Sequence, residues 1–101
     1  MTLPYEFHPL AEVELDEAVG YYEEIQPGKG LELAQQVELV IEQIRRFPDS
    51  APITRGTVRS VVVQPSTRWS YTLHYRVKAE GLRILAVAHQ NRQPFYWFGR
   101  R

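Results

Sequence analysis

This sequence predicts an α+β fold: a short N-terminal strand and an antiparallel helical hairpin packed on a small antiparallel sheet. Three observations carry the prediction. Apolar residues recur at steps of three and four through residues 9–47. They change to alternation through residues 69–77. Between the two helical stretches, Pro27-Gly28-Lys29-Gly30 has the composition of a tight turn, which sets the helices antiparallel. With 101 residues, the chain makes a single domain over residues 1–101.

The elements follow in order. Leu3, Tyr5 and Phe7 share one face of a short strand. Pro9 suits the first turn of a helix, where its missing N–H costs nothing. Ala11, Leu15, Ala18, Tyr22 and Ile25 form the apolar stripe of a helix over residues 9–25. Its carboxylates, Glu12, Glu14, Asp16, Glu17, Glu23 and Glu24, fall on what reads as a solvated face, with no Lys or Arg in the helix to relieve them. Leu33, Ala34, Val37, Val40, Ile41 and Ile44 stripe a second helix to about Phe47, and Pro48 stops it. Leu39 lies off that stripe. Residues 48–57 read as a loop.

Val58 to Gln64 is a β-branched run, and Trp69 to Val77 alternates. Lys78-Ala79-Glu80-Gly81 reads as a four-residue hairpin loop, with Leu82 to His89 returning. That loop sets Tyr75 opposite Ile84, Leu73 opposite Ala86 and Tyr71 opposite Ala88 on the helix-facing side. On the far side, Arg76 falls opposite Arg83, His74 opposite Leu85 and Thr72 opposite Val87. Like charges facing each other across a sheet are unfavourable. The far face therefore reads either as a wet surface or as a site for an anion or an acidic segment. Leu85 and Val87 on it await cover from the tail or from another chain.

There is no Cys, which excludes disulfide scaffolds, thiol catalysis and iron–sulfur sites. His8, His74 and His89 lack metal-ligand spacing, so neither a metal nor a cofactor is expected. No apolar run is long enough for a membrane span, and Met1 to Glu6 does not read as a signal peptide, so the expected compartment is the cytoplasm. The zero net charge conceals a division. Residues 1–50 carry eleven Asp/Glu against three Lys/Arg, and residues 51–101 carry one against nine. Either the halves neutralise each other within one fold or the division marks an interaction surface. Basic residues mixed with aromatics in the second half could grip RNA, although strand alternation assigns Trp69, Tyr71 and Tyr75 to the core.

Several segments, in order, resemble the RelE/ParE superfamily of toxin–antitoxin toxins, also called plasmid-stabilisation proteins. They are Phe7-His8-Pro9-Leu10-Ala11, Tyr21-Tyr22-Glu23, Pro27-Gly28-Lys29-Gly30, Tyr71 to Val77, and Ile84-Leu85-Ala86-Val87-Ala88-His89. Arg92, Pro94, Tyr96-Trp97 and Arg100 complete the pattern. The resemblance implies a growth-arresting toxin neutralised by a cognate antitoxin, itself a small DNA-binding protein. It also implies a dimer or a toxin–antitoxin hetero-oligomer. RelE-like members are ribosome-dependent mRNA endonucleases; ParE-like members poison DNA gyrase. The Arg residues of the nuclease pattern are replaced by Thr72 and Gln90, while its tail Tyr is matched by Tyr96. The Pro-Gly-x-Gly turn and Pro94-Phe95-Tyr96-Trp97 resemble the ParE side. Asn91 and Trp69-Ser70-Tyr71 depart from that side's common Arg and Phe-Pro-Tyr.

Candidate residues follow from this resemblance and from strand parity. Target contacts are expected at Arg59, Arg92, Tyr96, Trp97 and Arg100. Antitoxin contacts are expected at Leu39, His74, Arg76, Arg83 and Leu85. For RNA cleavage the candidates are Arg76, Arg83, Arg92 and Tyr96, since that chemistry needs a base, an acid and fixed positive charge at the phosphate. A third outcome is an inactive homologue kept as an antitoxin-binding module.

Overall fold

The computed structural model describes residues 2–101. Strand β1 (Tyr5–Phe7) leads into α1 (Pro9–Ile25) and α2 (Lys29–Arg46). Then come β2 (Ile53–Arg55), β3 (Val58–Val62), β4 (Tyr71–Lys78) and β5 (Gly81–His89). Among these residues no helix is long and apolar enough to cross a membrane.

Local chemistry sets the helix ends. His8 caps α1, its Nδ1 accepting the Leu10 N–H at 3.0 Å, and Pro9 follows in the first turn. No side chain at Gly28 caps α2; the Glu23 carboxylate of α1 does so instead. It accepts the N–H groups of Gly28 and Leu31, each at 3.1 Å, and these backbone bonds hold its pKa below the usual carboxylate value. Gly28 sits at φ 90°, which favours glycine. At Gly30 a Cβ would collide with the Val19 carbonyl oxygen and the Glu23 side chain. The turn glycines therefore have separate jobs, one conformational and one of close approach.

The sheet has five strands in the order β1-β5-β4-β3-β2 and is mixed. The antiparallel expectation fails at one place: β1 lies at an edge of the sheet and runs parallel to β5. Parallel neighbours need a long crossover, and both helices and three strands intervene. Residues 48–57, read as a loop, contain the short strand β2. The hairpin connection is tighter than expected, since Lys78 pairs with Gly81 across Ala79-Glu80.

The register holds from Val77–Leu82 through Arg76–Arg83 and Tyr75–Ile84, then shifts by one. A bulge places Leu73 opposite Val87, His74 opposite Ala86, Thr72 opposite Ala88 and Tyr71 opposite His89. Leu85 and Ala86 consequently belong to the same cluster on the far face, and Val87 turns to the helices. Leu85 is covered by the tail, one of the two covers expected for it, whereas Val87 does not lie on that face and is buried on the helix side.

Two apolar clusters result. The larger lies between the helices and the sheet and includes Ala11, Leu33, Val37, Ile41, Ile44, Trp69, Leu73, Tyr75 and Ile84. The smaller, on the opposite face, consists of Val58, Leu85, Ala86 and Trp97, with Tyr96 against it. Residues 90–101, without helix or strand, form the lid of that second cluster.

Candidate functional site

The tail is fastened by a residue that periodicity assigned to solvent. Glu14, on α1, accepts the Tyr96 hydroxyl at 2.8 Å and both Arg100 terminal nitrogens at 3.0 and 3.1 Å. It also accepts the Val87 N–H at 3.1 Å. Arg100 donates in turn to the Leu85 carbonyl at 3.0 Å. β1 pairs only with Leu82, Arg83 and Ile84, so the edge of β5 beyond them lacks a strand. Carboxylate and guanidinium supply the acceptor and the donor a strand would have supplied. Both side chains are only 13% exposed.

Tyr96 carries a consequence of this arrangement. Burial first, and then its bond to Glu14, push the phenol pKa well above its usual value. The Arg92 guanidinium lies over the same ring, 4.0 Å from its centroid. Trp97, 2% exposed, stacks on His74 with ring centroids 4.7 Å apart. His74 Nδ1 shares a 2.6 Å hydrogen bond with the Ser60 hydroxyl, and burial pulls its pKa down to about 4. Thr72, His74, Arg92, Tyr96 and Trp97 line one side-on cleft of about 330 Å³ under the tail.

The remaining candidates are distributed differently. Arg59 is tied to the loop after α2, donating to the Asp49 and Ala51 carbonyls at 3.1 and 2.7 Å. Arg83 is not left unpartnered. It meets the Glu6 carboxylate, the Phe7 carbonyl and the Arg101 carbonyl, each at 3.2 Å. Arg76 remains beside it, with Nε buried and without a hydrogen-bond partner. Leu39 is 61% exposed on α2, beside a separate groove between α2 and β3. Arg83 and Arg92 line different clefts, so the four candidate nuclease groups do not converge on one cavity. Among the described residues no group of three or more His, Asp or Glu is placed to hold a metal.

Much of the charge division resolves within the fold. Glu6–Arg83, Glu14–Arg100, Glu32–Arg68 and Asp49–Arg59 each join the acidic half to the basic half. Glu14 was missed because its side-chain partners, Tyr96 and Arg100, lie more than 80 residues away. The one available signal was the lack of any cation on α1.

Comparison with known proteins agrees with this architecture. The family model of the ParE toxin of type II toxin–antitoxin system, parDE, matches residues 5–94. A chain from a solved structure, described as the chromosomal ParDE TA system from P. aeruginosa, superimposes with a TM-score of 0.74 at 18% identity. The match covers 87% of this chain and 96% of that one, and at such identity it speaks for the fold alone. No curated protein matches the chain in sequence.

Proposed function

This chain belongs to the ParE toxin family of type II toxin–antitoxin systems, and from that premise we propose that it arrests growth by binding a protein target, DNA gyrase, and is silenced by a cognate antitoxin. The observation that carries the binding reading over RNA cleavage is the state of Tyr96. Its hydroxyl is committed to Glu14 and its proton is held more tightly than in a free phenol. A general acid or base works best with a pKa near the operating pH, and this group has been moved away from it. Arg83, a second cleavage candidate, is occupied by Glu6 and two carbonyls. Thr72 and Gln90 supply no positive charge beside Tyr96.

The antitoxin assignment changes with the geometry. Arg76 remains a candidate for an acidic antitoxin segment, and Leu39 for an apolar one, while Arg83 already meets the Glu6 carboxylate. Leu85 drops out because Trp97 and its cluster cover it.

The test is induction of the chain alone in cells, with DNA breaks and mRNA integrity followed together. Stabilised DNA breaks, intact mRNA and reversal by the antitoxin are expected. Codon-linked mRNA cuts that vanish in Tyr96→Phe would contradict the reading in favour of a ribosome-dependent nuclease. Absence of any arrest would identify an inactive antitoxin-binding homologue.

A further inference from the structure

Two aromatic rings of the tail remain outside the apolar cluster that the tail covers. Phe95 is 42% exposed and Phe98 is 60% exposed. Both flank Arg55 at the end of β2, whose guanidinium lies 4.9 Å from the Phe95 ring centroid and 4.0 Å from that of Phe98. Phe95 also adopts φ 61°, the left-handed region that a bulky side chain avoids. The ring lies beside Arg55 and edge-on to Trp97, with centroids 5.9 Å apart, and remains in contact with water. Strain of this kind persists where the surrounding structure imposes it, and it concentrates at functional surfaces.

The charges here differ from those elsewhere in the basic half. Arg59, Arg68, Arg83 and Arg100 are paired with carboxylates, whereas Arg55, like Arg76, Lys78, Arg92 and Arg101, forms no ion pair among the described residues, and of these only Arg55 lies against both exposed rings. No Asp or Glu occurs in residues 51–79 or 81–101. The patch is thus aromatic and cationic, with no carboxylate in ion-pair contact with Arg55 among the described residues, a composition enriched where protein interfaces concentrate their binding energy.

We infer that Arg55, Phe95 and Phe98 form the surface with which this chain grips its protein target, and that the matching face of the target is acidic around an apolar recess. The inference rests on the reading that the chain acts by binding a protein. Charge complementarity defines the partner: an unpaired guanidinium between two exposed rings calls for a carboxylate beside a hollow. A nucleic-acid strand fits less well. Arg55 already covers a face of the rings on which bases would stack, and four of the other eight cations of this half are neutralised.

Phe95→Gly separates function from folding, because glycine accepts φ 61° without strain while the ring is lost. Wild type, Phe95→Gly, Phe98→Ala and Arg55→Glu are titrated against purified DNA gyrase and induced in cells, with folding followed by circular dichroism. All four should fold, and each variant should bind gyrase at least tenfold more weakly and lose growth arrest in parallel. Unchanged affinity and arrest in Phe95→Gly and Phe98→Ala would overturn the surface and leave the binding toxin standing. If wild type arrests growth without binding gyrase, the gyrase target fails. Loss of arrest in the variants then still upholds the surface, and its persistence overturns it. A wild-type chain that neither binds nor arrests overturns both. Tighter wild-type binding to a single-stranded RNA oligonucleotide than to gyrase, abolished by the same variants, would overturn the protein partner.

Discussion

The two faces of the sheet are covered in different ways. Toward the helices, β4 and β5 meet a continuous apolar layer in which Leu33, Leu73, Tyr75 and Ile84 are all fully buried. Toward the tail, a four-residue apolar cluster is closed by a segment without regular structure. The tail is held by polar ties: Glu14 to Tyr96 and Arg100, and the His74–Trp97 stack backed by Ser60. Burial of apolar area is non-directional and tolerant, whereas a hydrogen-bonded ion pair holds in one geometry only. The helix side therefore makes the fold, and the tail side fixes the presentation of a surface.

The largest expected effect lies on the helix side. Leu73→Ala, at a fully buried position in a central strand, should lower unfolding free energy by about 2–5 kcal/mol. Urea denaturation followed by circular dichroism reads it, and a loss under 1 kcal/mol, far below the range of about 2–5 for such truncations, would break the contrast.

A smaller effect on the tail side depends on pH. The folded His74 titrates near 4, below its ordinary value of 6.5, chiefly because it is buried. Protonation therefore favours the unfolded chain. The contribution is complete above pH 6.5 and is lost as pH falls toward 4. Allowing for partial exposure of the ring, it amounts to about 1–2 kcal/mol. His74→Phe should flatten stability across that window in urea titrations at stepped pH. An unaltered pH profile would remove His74 from the account.

The smallest shift belongs to Phe95→Gly. The loss of ring contacts and the relief of φ 61° nearly cancel, leaving stability within about 0.5 kcal/mol of wild type or slightly above it. A thermal melt measures this. Marked destabilisation would make Phe95 a structural residue and sharpen the boundary of the second cluster.

The same difference governs what could be read from the sequence. Stripes such as Leu33, Val37, Ile41 and Ile44 repeat because a helix face repeats, so α1, α2 and the helix-side core were legible. Parity was legible only as far as Ile84. Ile84 to Ala88 is uniformly apolar, so alternation could not reveal a bulge that sends both Leu85 and Ala86 to the tail side. β2 was hidden by its length, and the polarity of β1 by having only three residues. Glu14 was illegible for a different reason. Local sequence presents it as one carboxylate among six on α1, and only the fold brings Tyr96 and Arg100 to it.

Amide hydrogen exchange on Glu14→Ala tests the division between the two faces most directly. The substitution leaves Arg100 and the Val87 N–H without their partner. Protection should fall at least tenfold at Val87 and through residues 90–101, while α2 and β4 keep wild-type protection. Uniform loss across all elements, or a tail as protected as in wild type, would contradict it.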